Sequence, residues 1–210
     1  MRTGAEAGLP PTPESIRTGE VAMEHHPNYP ALVRHLVERG YPLVVLQPPK
    51  PPQELSPYVV FKRICNKQGD ILREEKHVAV VAGMRYIDLE HEAGHVAQLE
   101  DIFGGNLPTE KWVQLTPIRE VHIDNAPDVL KPWHDAVTEY HNRLVEYIRL
   151  AQRGVSPELL NKHLDGLQKT QQAYNKEMIW ERASGKARQM WTKQYFPDLD
   201  ILKTQVPSHK

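Results

Sequence analysis

The sequence lacks several features that would cross-link the chain or attach it to a membrane. Cys65 is the only cysteine in 210 residues, which excludes an intramolecular disulfide and any zinc site built from several thiolates. No apolar run approaches the ~18 residues that suggest a membrane span, so no membrane partner is predicted. The N-terminal residues lead into a proline-rich segment and not into an apolar one, which predicts no signal peptide. Any metal site must therefore be built from histidine and carboxylate side chains.

The charge balance argues against nucleic acid as a partner. Lysine and arginine together number 26 against 27 aspartate and glutamate residues, for a formal net charge of −1. The basic residues are scattered and form no stripe of the kind that nucleic-acid binding usually needs. The sequence therefore predicts no nucleic-acid partner, and its length predicts one domain that can bury a core.

Turn and helix signals divide the chain into a mixed series of elements. Glycine and proline in residues 1–20 predict a flexible leader without regular structure, and a C-terminal tail at 197–210 is predicted to fray. The domain between them, 21–196, is predicted to contain a helix at 30–39, a short buried strand at 41–47, a hairpin of strands at 58–65 and 71–82, a helix at 84–103, and helices at 132–153 and from 157 to about 195. This order predicts an α+β fold in which a small antiparallel or mixed sheet lies beside a helical half.

The most informative stretch is the HExxH motif at residues 91–95. On a helix, His91 and His95 lie one turn apart on the same face, so both imidazoles can bind one Zn²⁺ at about 2.0–2.1 Å. Glu92 lies beside them and is the predicted general base that accepts a proton from the attacking water. The histidine face continues into an apolar stripe through Leu99, which predicts that it points inward. The motif therefore indicates a zinc-dependent hydrolase.

A zinc site of this kind needs a third protein ligand, which the sequence leaves open. The metzincin pattern would use Asp101, but Gln98 stands where that pattern has a glycine, so the helix should continue and carry Asp101 away from the ligand face. The gluzincin plan takes a glutamate from a later helix and favours Glu139, whereas the helical wheel favours His141 at the edge of the apolar face. A partly buried, hydrogen-bonded histidine is the ordinary alternative role for His141. Weaker candidates in the preceding loop are Glu120, His122 and Asp124.

Two segments resemble the zincin-like metallopeptidase toxin domains of bacterial polymorphic toxins of the Rhs type. They are MRYIDLEHEAGHVAQL at 84–99 and TEYHNRL at 138–144. The resemblance extends over most of the chain, from about Val21 to Phe196. HExxH occurs in many zinc hydrolases, and the second segment is more specific to this group.

The resemblance implies a zincin-like fold with Zn²⁺ bound by His91 and His95 and with general-base chemistry at Glu92. It further implies a toxin effector that acts on a protein or peptide substrate in the cytoplasm of a competitor cell and is neutralised by a cognate immunity protein. Such domains are secreted as the C-terminal ends of larger carrier proteins, so a missing signal peptide agrees with it. The leader at 1–20 would then be the remnant of the junction with the carrier.

Two other functions are compatible with the residues. One is a zinc hydrolase that cleaves an amide bond outside proteins, and the other is a non-catalytic interaction module with a degenerate metal site. The intact Glu92 argues against the module, because a purely structural site does not need this carboxylate. A peptidase would bind its substrate as an added strand, and the hairpin at 58–82 is the predicted sheet edge for it.

Overall fold

The structure is a computed structural model that describes residues 11–46, 57–65, 70–102, 104–105, 131–178 and 183–207. By its internal contacts the chain divides into an N-terminal unit, residues 1–100, and a C-terminal unit, residues 101–210. The N-terminal unit combines a small sheet with helices, and the described part of the C-terminal unit is helical. The predicted α+β class is therefore confirmed.

The N-terminal unit places its sheet between two helical stretches of sequence. Its elements in chain order are helix α1 (Pro13–Thr18), a single 3-10 turn (Met23–His25), helix α2 (Tyr29–Glu38), strands β1 (Leu43–Leu46), β2 (Tyr58–Cys65) and β3 (Ile71–Val81), and helix α3 (Tyr86–Ala97). A π-helical segment, Gln98–Ile102, directly continues α3. The helix predicted at 84–103 is therefore present, with a change of helix type near its end.

The sheet has the strand order β1-β3-β2, with β3 in the centre. β2 pairs with β3 in the predicted antiparallel hairpin, and β1 pairs parallel with the end of β3, with Leu43 opposite Val78. Val78, Ala79 and Val80 have no exposed surface, as expected for the central strand. Gly83 follows with a φ of 75°, which lets the chain turn from β3 towards α3.

The described part of the C-terminal unit consists of helices. They are α4 (Lys131–Gln152), α5 (Pro157–Met178), α6 (Ala183–Tyr195) and α7 (Leu199–Thr204). α4 packs along α5, and the rings of Tyr140 and Tyr174 stack between them with centroids 5.1 Å apart. Trp133 at the start of α4 is buried and donates through Nε1 to the Thr192 hydroxyl of α6 at 3.0 Å. No helix in the described ranges is long and apolar enough to cross a membrane.

The expectation that the leader lacks regular structure is wrong for its second half, where α1 forms. The Thr12 hydroxyl accepts from the Ser15 amide at 3.1 Å, and the Ser15 hydroxyl accepts from the Thr12 amide at 2.9 Å. A proline occupies the first helical position and Gly19 ends the helix with a φ of 72°. Proline and glycine therefore delimit this short helix, as they do at helix ends generally. The first ten residues lie outside the described ranges.

Two further expectations need correction. β1 is an outer strand of the described sheet, and Val44 and Val45 are 39% and 57% exposed, so it is not the buried strand that its apolar run predicts. The tail does not fray directly after α6, because α7 forms there and buries Leu199. A short apolar run indicates a strand but does not reveal whether a second layer covers it.

Candidate metal centre

The start of α3 is held by the backbone that follows α1. The Tyr86 amide donates to the Val21 carbonyl at 2.9 Å, and the Ile87 amide donates to the Gly19 carbonyl at 2.9 Å. First-turn amides have no acceptor within their own helix, so these two bonds supply the missing partners. A Cβ on Gly19 would lie 3.0 Å from the Ile87 nitrogen, so this close approach requires glycine.

The guanidinium group of Arg85 stabilises the same N-terminal end of α3. It donates to both carboxylate oxygens of Asp88, at 2.9 Å and 2.6 Å, and to the Glu20 carboxylate at 2.7 Å. The hydrogen bond to Asp88 is the largest cause that raises the pKa of Arg85 above its ordinary value. The sequence spacing places Asp88 on the helix face of the motif histidines. In the structure its carboxylate forms a bidentate ion pair with Arg85.

The HExxH motif lies in the second half of α3, as predicted. His91 and Glu92 are each 8% exposed, as expected for an inward-pointing motif, whereas His95 and Leu99 are only partly buried. The imidazole centroids of His91 and His95 are 4.8 Å apart, and the ring planes meet at 88°. The four-residue spacing thus brings two imidazoles together on one helix, and Glu92, which follows His91, is also buried.

The next turn adds a side chain to this pair. Gln98 is 4% exposed, and its Oε1 lies 2.9 Å from Nδ1 of His95. A carbonyl oxygen can only accept a hydrogen bond, so this contact requires the proton of His95 to be on Nδ1. Asp101 is exposed one turn further along, as expected for a helix that continues past the motif.

Glu100 fixes the far end of the motif helix to the sheet. Its carboxylate accepts from the Tyr41 hydroxyl at 2.9 Å and from Nζ of Lys76 at 3.3 Å. Lys76 belongs to β3, and its ammonium group also lies over the rings of Tyr41 and Phe61 at 5.5 Å and 5.2 Å. Both ends of the helical stretch that carries the histidines are therefore tied within the N-terminal unit.

The two candidates for the third ligand differ in how α4 holds them. His141 is buried, its Nε2 lies 3.3 Å from a carboxylate oxygen of Asp198, and its ring lies 5.0 Å from that of Phe196. Burial lowers the pKa of His141, and the charge and hydrogen bond of Asp198 oppose that shift. These contacts match the ordinary role of a buried, hydrogen-bonded histidine. Glu139 is partly exposed.

The chemistry of the donor set can be compared with that of a metal site. His91, His95 and Glu139 are residues of the types that can hold a metal ion, two imidazoles and one carboxylate. Two imidazoles and a carboxylate are the protein ligands of one class of catalytic zinc site, so these residue types fit Zn²⁺. The loop candidates Glu120, His122 and Asp124 lie outside the described ranges.

Sequence reasoning did not assign a role to Gln98 or Arg85. The signal for Gln98 is its spacing of three residues after His95, because side chains three apart on a helix are neighbours. Arg85 has the same spacing before Asp88, but its second partner, Glu20, is 65 positions distant and leaves no local pattern.

Comparison of the chain with protein-family models, with curated proteins and with solved structures gave no match.

Proposed function

We propose that this chain is a zinc-dependent metallopeptidase with a zincin-like fold. The observation that carries the proposal is the HExxH geometry on α3, where the ring centroids of His91 and His95 are 4.8 Å apart and Glu92, the next residue after His91, is buried. His91, His95 and Glu139 are the proposed ligands, and they provide the two imidazoles and one carboxylate that such a site uses. Zinc, when bound, would act as a Lewis acid that polarises the scissile carbonyl and makes water acidic enough to react at neutral pH.

Glu92 is the proposed general base and acid. It adjoins the ligand His91 in sequence, and burial keeps its carboxylate away from bulk solvent. In the proposed reaction a carboxylate oxygen of Glu92 takes a proton from the attacking water and later transfers it to the leaving amine. The intact carboxylate is also the reason to prefer an enzyme over an interaction module that only uses the scaffold.

The proposed substrate is an extended peptide. β1 and β2 are the outer strands of the described sheet, and a peptide can add to an outer strand through backbone hydrogen bonds. The polypeptide substrate distinguishes this proposal from a hydrolase of other amide bonds. A screen of peptide libraries for cleavage products by mass spectrometry would identify a peptidase directly.

We propose, on the resemblance of 84–99 and 138–144 to polymorphic toxin domains, that the peptidase is a toxin effector. It would reach a competitor cell as part of a larger secreted carrier, act in the cytoplasm there, and be neutralised by a cognate immunity protein. Expression inside bacteria without an immunity protein should then slow growth.

The decisive variant is Glu92→Gln, which keeps the shape of the side chain and cannot accept the proton. We expect peptide cleavage to fall by about 10²–10⁴-fold, while zinc content and melting temperature stay close to those of the unmodified protein. Glu38→Gln makes the same change at an exposed position on α2 and serves as the matched control with near-normal activity.

The metal assignment and the toxicity have their own controls. His91→Ala or His95→Ala should lose zinc, as measured by elemental mass spectrometry, and full occupancy in either variant would show that the ligands are wrong. Glu92→Gln should be harmless when expressed in bacteria. If it is as toxic as the unmodified protein, the harm comes from binding, and the interaction module replaces the enzyme.

A further inference from the structure

Gln98 occupies the position immediately beyond the motif where it can control the second histidine. We propose that Gln98 is a positioning residue for the metal site, whose amide oxygen fixes the tautomer and orientation of His95. This inference rests on the proposed zinc function, and it adds a residue that the HExxH pattern does not contain.

The first step of the argument is the hydrogen bond itself. Oε1 of Gln98 accepts from Nδ1 of His95 at 2.9 Å, and Gln98 is 4% exposed. With the proton on Nδ1, the lone pair of a neutral imidazole is on Nε2, which is then the atom available to a metal ion. The bond therefore selects one of the two nitrogens of His95 as the ligand atom.

The second step concerns the backbone that presents the amide. Gln98 is the first residue of the π-helical segment, and its own amide donates to the carbonyls of Gly94 and His95. Single π-helical turns are rare and occur frequently at functional sites. The backbone of Gln98 is thus bonded to the same turn that its side chain contacts, which restricts where Oε1 can lie.

The third step is energetic. The ring torsion of histidine is broad and roughly two-fold, so a ring without a fixed partner can exchange its two nitrogens at the metal. Hydrogen-bond partners that hold a ligating histidine typically contribute 10–100-fold in metal affinity. The Gln98 amide oxygen accepts this hydrogen bond without placing a negative charge beside His95. A carboxylate in its place would accept the same bond more strongly.

The test measures the zinc dissociation constant by chelator competition on the full chain. Gln98→Leu removes the acceptor at similar size, and we expect zinc binding about 10–100-fold weaker. Gln98→Glu keeps an acceptor and should bind zinc as tightly as the unmodified protein or more tightly. Gln172→Leu, at an exposed position on α5, makes the same change away from the motif and should leave the affinity unchanged.

A second readout is the tautomer of His95, measured by nitrogen-15 NMR on the metal-free protein. We expect the Nδ1–H form in the unmodified chain and a mixture in Gln98→Leu. A predominant Nε2–H form in the unmodified chain would overturn the proposal even if Gln98→Leu does not fold. Equal loss of zinc affinity in Gln98→Leu and Gln98→Glu would also overturn it, because only packing would then matter.

The outcomes separate this inference from the proposed function. If His91→Ala loses zinc and Gln98→Leu keeps normal affinity, the metal site stands and the role of Gln98 is refuted. If His91→Ala itself keeps full zinc affinity, the proposed metal site fails, and the positioning role fails with it.

Discussion

Replacing Gly19 with alanine should disturb the start of the motif helix more than its conformation alone would suggest. Gly19 has a φ of 72°, and an added Cβ would lie 3.0 Å from both the nitrogen and the Cβ of Ile87 and 3.2 Å from its Cα. Two of these three atoms are backbone, so no rotation of a side chain relieves the contact. Either α3 or the segment after α1 must move.

The magnitude follows from two contributions. An L-residue in left-handed geometry costs about 1–2 kcal/mol, and an overpacked methyl group costs about 1–3 kcal/mol more. Gly83→Ala is the matched control, because Gly83 has a φ of 75° with nothing within 4 Å of the added Cβ. Both variants also lose similar freedom in the unfolded chain, which offsets about 0.4–1 kcal/mol. We therefore expect Gly19→Ala to be less stable than Gly83→Ala by about 1–3 kcal/mol.

The assay must report on the N-terminal unit. All four tryptophans lie beyond residue 100, so the N-terminal unit contains no tryptophan whose fluorescence could report on it. Hydrogen exchange of the Tyr86 and Ile87 amides is suitable, because these groups donate to the carbonyls of Val21 and Gly19. Equal exchange rates in Gly19→Ala and Gly83→Ala would refute the close approach between Gly19 and Ile87.

Two other substitutions test the site and its support. Glu139→Gln should weaken zinc binding, measured by chelator competition, by more than the ~10–100-fold of a positioning residue. His141→Leu should leave zinc affinity unchanged and lower stability by about 1 kcal/mol through the lost bond to Asp198; the reverse pattern would make His141 the ligand. Arg85→Met should lower the free energy of unfolding by about 1 kcal/mol, because the ion pairs are only half-buried. This loss should shrink in 1 M salt, and a salt-independent loss would mean that packing of the Arg85 stem dominates.

Local signals account for the elements that position the site. The hairpin follows from β-rich runs on either side of a turn cluster, and it forms at Tyr58–Cys65 and Ile71–Val81. α4 is predicted at 132–153 and forms at Lys131–Gln152, because its apolar period is long and Gly154 follows. The facing of His91 and His95 needs no tertiary information, since four residues are close to one helical turn.

Local signals fail where the outcome depends on a distant partner. α1 is short, and the carbonyls of Gly19 and Val21 that follow it accept from amides in the first turn of α3, which is distant in the sequence. Proline and glycine can indicate either an irregular segment or the two ends of a helix. Here the capping hydrogen bonds of Thr12 show that they mark the ends of a helix. β1 shows the same limit, because its apolar run does not reveal that Val44 and Val45 are left exposed.

The choice between Glu139 and His141 illustrates what a helical wheel measures. A wheel locates a residue relative to the apolar stripe of its own helix, and the stripe of α4 packs inside the C-terminal unit around Tyr140. A histidine at the edge of that stripe is buried by its own unit and finds its partner there, as His141 does in Asp198. The wheel position of His141 is therefore an argument for a structural role. The Glu139 carboxylate lies further round the helix, outside that packed face. This position is the physical reason to propose Glu139 as the third ligand.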